Sequence, residues 1–296
     1  MIKGRIFAVK RCEIHDGDGL RTTVFLKGCP LRCKWCHNPE SLSMAKQIAC
    51  YTDKCLSCAR CVSVCKSSVH SFTGGVKTTD YSSCVSCGEC VKFCPADALK
   101  LWGKDVTASE VVSLVSADKI FFDKTGGGVT LSGGEPLAQP EFCLEVLKAL
   151  KLAGINTALD TSLCALSHSV SEVIPYVDTF LVDVKAYSST LHKELTGKDN
   201  DLILENVNLL KNAQARIEFR VPLIEGANDC EMEQIARLVS SVPHVGVKIL
   251  PYHDYAVDKY HALGYSAYTG ATVPSAQKLE EIRNLFANCG AKVITE

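Results

Sequence analysis

Residues 27–40 read KGCPLRCKWCHNPE and place Cys29, Cys33 and Cys36 in a C-x3-C-x2-C pattern with no fourth cysteine. A tetrahedral metal or a cubane cluster needs four attachments, so a centre built here leaves one position for another group. His37 adjoins Cys36, but adjacent loop residues rarely reach two corners of one metal. The stretch follows a short β-rich run, 22–26 (TTVFL), and five more such runs lie at 128–132, 155–159, 179–184, 216–221 and 245–250. Helical patterns separate them, among them 107–116, opened by the capping-box pair Thr107 and Glu110, and 140–153, ended by Gly154. Repeated β-then-α units predict an α/β fold with a parallel sheet covered on both faces. Six units fall short of a closed eight-stranded barrel. The expectation is a partial (β/α)6 TIM-like barrel, with its chemistry at the C-terminal strand ends.

Polar signatures fall at those ends. The first strand leads into the three-cysteine loop, and the second into Ser132, Gly133, Gly134, Glu135 and Pro136. The third ends at Asp160, Thr161 and Ser162, and the fourth at Asp183, Val184 and Lys185. The fifth carries Arg220, and the sixth leads into Pro251, Tyr252 and His253. Each alone has a plain explanation. Gly133 and Gly134 suit a turn, Asp160 or Thr161 an N-cap, and Asp183 with Lys185 an ion pair on one strand face. A single His253 suits a structural histidine. Arg220 is harder to dismiss, because a buried guanidinium needs an anion.

Cysteine dominates the composition, with 17 in 296 residues, nine of them between 50 and 94. Cys55, Cys58, Cys61 and Cys65 form one run, and Cys84, Cys87, Cys90 and Cys94 a second, followed by Pro95. The doubled run is the bacterial two-cluster ferredoxin pattern, in which the last cysteine of each run serves the other cluster. One [4Fe-4S] cluster is therefore expected on Cys55, Cys58, Cys61 and Cys94, and another on Cys65, Cys84, Cys87 and Cys90. Structural zinc favours cysteine pairs separated by longer loops. Lys66 stands where a proline usually follows the first run. Residues 49–104 are expected as an inserted ferredoxin-like domain within a barrel of 1–48 and 105–296. The net charge of -1 offers no basic field for nucleic acid. No apolar run approaches the roughly 20 residues of a membrane span, and the start lacks a secretory apolar core. A cytoplasmic chain without membrane or nucleic-acid partners is expected.

C-x3-C-x2-C with GGEP resembles the radical S-adenosylmethionine (SAM) superfamily. The wider set is HDGDGLRT (15–22), FLKGCPLRCKWCHNPES (25–41), GGGVTLSGGEPLAQPEF (126–142), DTS, DVK, RVPLIEG-x-N (220–228) and LPYH with Lys259, Tyr260, Leu263 and Gly264. It resembles the glycyl-radical-enzyme activating enzymes, of which the pyruvate formate-lyase activator is the best known, in the branch that carries a two-cluster insert. The resemblance covers nearly the whole chain.

It implies that SAM chelates the open iron of a [4Fe-4S] cluster on Cys29, Cys33 and Cys36. One electron from the cluster breaks a C–S bond of SAM, and the 5′-deoxyadenosyl radical takes a hydrogen atom from a glycine of a partner glycyl radical enzyme. Carried over by position, Gly133, Gly134 and Glu135 meet the methionine amino group. Asp160, Thr161, Ser162 and Asp183 contact SAM or gather negative charge, and Lys185 and Arg220 offset its anionic groups. His253 faces the adenosine, and Trp35 and His37 flank the adenine. Three [4Fe-4S] clusters, a flavodoxin or ferredoxin donor, and a monomer working in an anaerobic cytoplasm complete the expectation.

Two departures are Asp18, where the pattern has proline, and Leu163, where glycine often follows DTS. HDGDG also matches the start of a calcium loop, but Lys27 stands where the chelating glutamate belongs, so the loop is expected as a turn near the partner-binding face. Two other classes fit parts of the sequence: a radical SAM enzyme acting on a small molecule or peptide, and a pure electron-transfer protein. The second leaves GGEP, DTS and Arg220 without work.

Overall fold

The computed structural model describes residues 2–295. Its strands are β1 (Lys3–Glu13), β2 (Arg21–Leu26), β3 (Gln47–Cys50), β4 (His70–Thr73), β5 (Val76–Thr79), β6 (Leu99–Trp102), β7 (Lys104–Thr107), β8 (Gly128–Gly133), β9 (Asn156–Thr161), β10 (Thr179–Asp183), β11 (Ile217–Leu223) and β12 (Gly246–Pro251). Eight build one sheet in the order β12-β11-β10-β9-β8-β2-β1-β7. From β2 through β12 all neighbours are parallel, and these six strands lie within one or two residues of the six expected runs. The sheet is mixed, because β1 runs antiparallel to both β2 and β7. β1 and β7 were not foreseen. β1 alternates buried and exposed positions only over its first few residues, so it carries little period-2 signal.

β8 and β10 are buried along nearly their whole length, as parallel strands covered on both faces must be. The helices Ala108–Ser116 and Pro140–Leu152 lie where periodicity placed them. At the first, Thr107 Oγ1 accepts from the Glu110 N–H while Glu110 accepts from the Thr107 N–H, which satisfies two backbone donors at the helix start. The helix Pro140–Leu152 buries Phe142, Cys143, Val146, Leu147 and Leu150 in the core over the sheet. Among the described residues no helix is long and apolar enough to cross a membrane.

Residues between β3 and β6 form a separate small layer. β3 pairs antiparallel with β6, and β4 with β5, with the short helices Arg60–Val64 and Glu89–Lys92 between them. Its backbone repeats itself: left-handed residues occur at Ser57, Ala59 and Ser68, and again at Ser86, Gly88 and Asp97. The two triplets hold the same places relative to the two cysteine runs, so each run makes the same turns around its thiols.

Candidate active site

The loops after all six parallel strands converge on one cavity of about 480 Å³. β2 delivers Cys29, Cys33 and Cys36; β8 delivers Ser132, Gly133 and Gly134; β9 delivers Asp160, Thr161 and Ser162. Asp183 and Lys185 come from β10, Arg220 from β11, and His253 from the end of β12. The glycines allow the approach. A Cβ on Gly134 would stand 2.3 Å from the Gly28 carbonyl and 3.2 Å from Cys29 Cβ, and Gly133 has φ +121°. Only residues without a Cβ let the end of β8 press against the cysteine loop.

Glu135 is placed differently from its neighbours. It is fully buried and absent from the cavity wall. Its carboxylate accepts from Thr161 Oγ1 at 2.7 Å, from Ser162 N at 2.8 Å, from Ser162 Oγ at 2.6 Å and from Leu137 N at 3.2 Å. The acid of GGEP thus pins the loop after β9 to the loop after β8. Burial still pushes its carboxyl up, against the pull of those hydrogen bonds.

Charge in the cavity is arranged in layers. Arg220 lies 3.4 Å from Asp16 and 3.5 Å from Asp160, and donates to the His15 carbonyl at 2.5 Å. Burial pushes Asp160 towards neutrality while Arg220 opposes it, and Ser132 Oγ donates to it at 2.6 Å. Lys185 Nζ donates to Asp183 at 2.7 Å. Burial alone would lower its pKa, but Asp183 holds its ammonium charged.

The aromatic side is a stack. The rings of His37 and His253 lie 3.9 Å apart, and Tyr255 stacks on the far face of His253 at 4.3 Å. Burial holds His37 neutral, lowered to about 4, and lowers His253 as well. His37 Nε2 and His253 Nδ1 are buried without a hydrogen-bond partner in the protein, which leaves both free to meet a polar group in the cavity. Trp35 is buried behind them.

Several residues of the site were not singled out beforehand. Asp16 accepts from Thr23 Oγ1, and its carbonyl accepts from Thr130 Oγ1. The loop 14–20 is therefore laced to β2, β8 and β11 rather than forming a bare turn, and Asp18 pairs with Arg216 at 2.9 Å. Lys259 Nζ donates to the His37 carbonyl at 2.9 Å and pairs with buried Glu40 at 2.8 Å. Lys259 stood within the LPYH pattern without a role, because only folding brings it to the cysteine loop.

In the small layer, Cys55, Cys58, Cys61 and Cys94 line one small cavity with Pro95 and Phe72. Burial pushes the Cys90 thiol up to about 11, and Cys84, Cys65, Cys87 and Cys61 push it the same way. The three thiols of the 29–36 loop are likewise pushed up by burial, Cys36 to about 12, so they ionise only against positive charge such as iron. Among the described residues no three His, Cys, Asp or Glu converge closely enough to hold a single metal ion; a cubane sets its thiolates on separate irons and asks for wider spacing. Cys143 is buried in the core under the helix Pro140–Leu152, and Cys50 accepts from Lys77 Nζ at 2.7 Å.

Residues 87–239 match the model of the radical SAM superfamily. The chain is 40% identical to the trans-4-hydroxy-L-proline dehydratase activating enzyme of Clostridioides difficile, over 95% of each. It is also 40% identical to the choline trimethylamine-lyase activating enzyme of Oleidesulfovibrio alaskensis, over 89% of this chain and 88% of that one. The crystal structure of Streptococcus suis SuiB bound to S-adenosylmethionine superposes with a TM-score of 0.51 at 14% identity, covering 64% of this chain and 44% of that chain; it supports the fold alone.

Proposed function

The chain belongs to the radical SAM activating enzymes of glycyl radical enzymes, and from that premise we propose how its residues divide the work. Cys29, Cys33 and Cys36 hold a [4Fe-4S] cluster with one iron open to the amino and carboxylate groups of SAM. Bound there, the cluster and SAM would supply one-electron cleavage of a C–S bond, the chemistry needed to take a hydrogen atom from a glycine of the partner enzyme. The supporting observation is the cavity itself, where three soft thiols face polar groups from every parallel strand.

Gly133 and Gly134 open their backbone to the methionine end of SAM, and Glu135 positions Thr161 and Ser162 from behind. Lys185 and Arg220 meet the anionic groups of SAM, balanced by Asp183 and Asp160, so the empty pocket need not carry bare charge. His37 and His253 offer two unpartnered ring nitrogens to the adenosine, over Trp35. Because their rings are in contact at 3.9 Å, adenine lies against the stack rather than between them.

Residues 49–104 are a ferredoxin-like domain set into a partial barrel of 1–48 and 105–296. Its clusters sit on Cys55, Cys58, Cys61 and Cys94 and on Cys65, Cys84, Cys87 and Cys90, which makes three clusters per chain. A flavodoxin or ferredoxin supplies the electron, and a monomer in an anaerobic cytoplasm docks transiently on its partner.

The test is anaerobic: reconstituted protein, dithionite and SAM, with and without candidate glycyl radical proteins. Formation of 5′-deoxyadenosine together with a glycine-centred EPR doublet on one candidate supports the reading and identifies the partner. Cleavage with no protein radical on any candidate would point to a small-molecule or peptide substrate. A protein that neither binds nor cleaves SAM would sink the proposal.

A further inference from the structure

We propose that Tyr81 and residues 256–265 fix the orientation of the insert, placing the Cys65, Cys84, Cys87 and Cys90 set next to the 29–36 loop and the Cys55, Cys58, Cys61 and Cys94 set outermost. The inference rests on the cofactor reading above and adds the order of the two sets.

The contacts are one-sided. Tyr81, three positions before Cys84, donates its hydroxyl to the Ala262 carbonyl at 2.8 Å. Its ring fills the space over Gly264, where a Cβ would lie 2.5 Å away. Ser86, between Cys84 and Cys87, donates to the Lys46 carbonyl at 2.9 Å. Gln47 donates to the Tyr265 hydroxyl at 2.6 Å, and Ala262 and Leu263 are buried against Ala49 and Trp102. By contrast, among the described residues, none of 55–65 makes a hydrogen bond or ion pair to anything outside the small layer.

The other end of the same segment meets the cysteine loop. Tyr260, two positions from Ala262, lines the same small cavity as Cys36 and His37. Lys259 donates to the His37 carbonyl and to Asn38 Oδ1. A short connection therefore runs from Cys84 through Tyr81, Ala262 and Tyr260 to Cys36, and no equally short one starts from Cys55. One electron leaves a reduced carrier of the flavodoxin or ferredoxin class and one arrives at the 29–36 loop. No bond or proton changes hands in the insert. Tyr81 acts as a positioning residue, holding the near set in place.

The test uses full-length protein reconstituted anaerobically with iron and sulfide, and reads EPR of the reduced state. The 29–36 centre is the signal that changes when SAM is added. That signal is expected to lose its dipolar coupling to a neighbouring centre in the Cys84→Ala/Cys87→Ala variant and to keep it in the Cys55→Ala/Cys58→Ala variant. The reverse pattern, or coupling kept in both, overturns the order. Loss of the insert's fold in a double variant is covered by Tyr81→Phe. There, amides 257–264 should exchange about fivefold faster, the worth of one hydrogen bond, with 55–65 unchanged. Unaltered exchange at 257–264 refutes the role of Tyr81. A wild-type spectrum with no SAM-responsive signal defeats the cofactor reading itself, and taking it first separates that failure from a reversed order.

Discussion

The large sheet and the cysteine-rich insert both gather thiols, but they keep their shape by different means. The sheet is sealed by an extensive apolar core that includes Phe180, Phe219, Leu147, Leu159 and Phe286, and each such side chain contributes roughly 1.5–3 kcal/mol on burial. The insert has only five buried members in its central cluster, Ile48, Cys50, Cys61, Cys90 and Leu99, and three of them are cysteines. Its helices are one turn long and its strands four residues. A segment so poor in apolar side chains needs metal to hold it, whereas the sheet can present three thiols on a frame that stands without them. On the proposed reading, that difference lets one site stay open for a substrate while the insert closes around its own clusters.

Iron removal should therefore split the molecule, and this is the largest expected effect. In hydrogen exchange, chelated protein is expected to lose protection across 50–98 while 128–251 keep theirs. Protection retained in both regions would mean that the insert folds without metal. The intact protein should carry about 12 iron atoms, four for each of three cubanes, and a value near four would leave the insert without clusters.

Single cysteines sharpen the same contrast. Cys33→Ala should reduce SAM cleavage to background, whereas Cys58→Ala should spare it when dithionite reaches the first cluster directly. Both are read as 5′-deoxyadenosine formed per hour, and full cleavage by the Cys33 variant would break the site assignment.

Glu135→Ala probes the frame rather than the cluster. It leaves the Ser162 N–H and two hydroxyls buried without their acceptor, which should cost roughly 3–5 kcal/mol, read as a fall in Tm. Glu135→Gln keeps one acceptor oxygen and should cost less. A Glu135→Ala variant that melts like wild type would show that the carboxylate does not tie the two loops.

His70 probes the insert. Burial lowers its pKa from 6.5 to about 4, so the folded state prefers the neutral ring. Its contribution is complete above pH 6.5 and is lost as pH falls towards 4. Over that window, denaturation of wild type should steepen relative to His70→Gln, and parallel curves would remove His70 from the account. The smallest effect is expected from Arg216→Ala, which breaks the exposed pair with Asp18. Such pairs contribute below about 1 kcal/mol, and a larger loss would mean that the 14–20 loop depends on it.

The fold was legible where burial on both faces writes itself into composition. Parallel strands covered by helices must be continuous apolar runs, and all six stood out. β1 and β7 did not, because strands with one wet face mix charged and apolar residues. In the site, thiol spacing was visible because ligands of one cluster are set by the reach of a short loop. Glu135 was legible as a motif residue but not in its direction: the sequence placed it with SAM, and the structure turns it inward onto Thr161 and Ser162.

By itself, then, the sequence determined the chemistry available: three thiols on one loop, eight in two evenly spaced runs, six strand ends with polar signatures, and the family to which they belong. Local spacing decides these, since a turn or a strand end brings near neighbours together whatever the rest of the chain does. Only the tertiary structure decided which distant groups meet. Arg220 reaches Asp16 and Asp160, His253 stacks on His37, Lys259 meets the cysteine loop, and Tyr81 meets Ala262. These partners lie far apart along the chain and are joined by the packing of the sheet, and packing is a property of the whole molecule that no short stretch records.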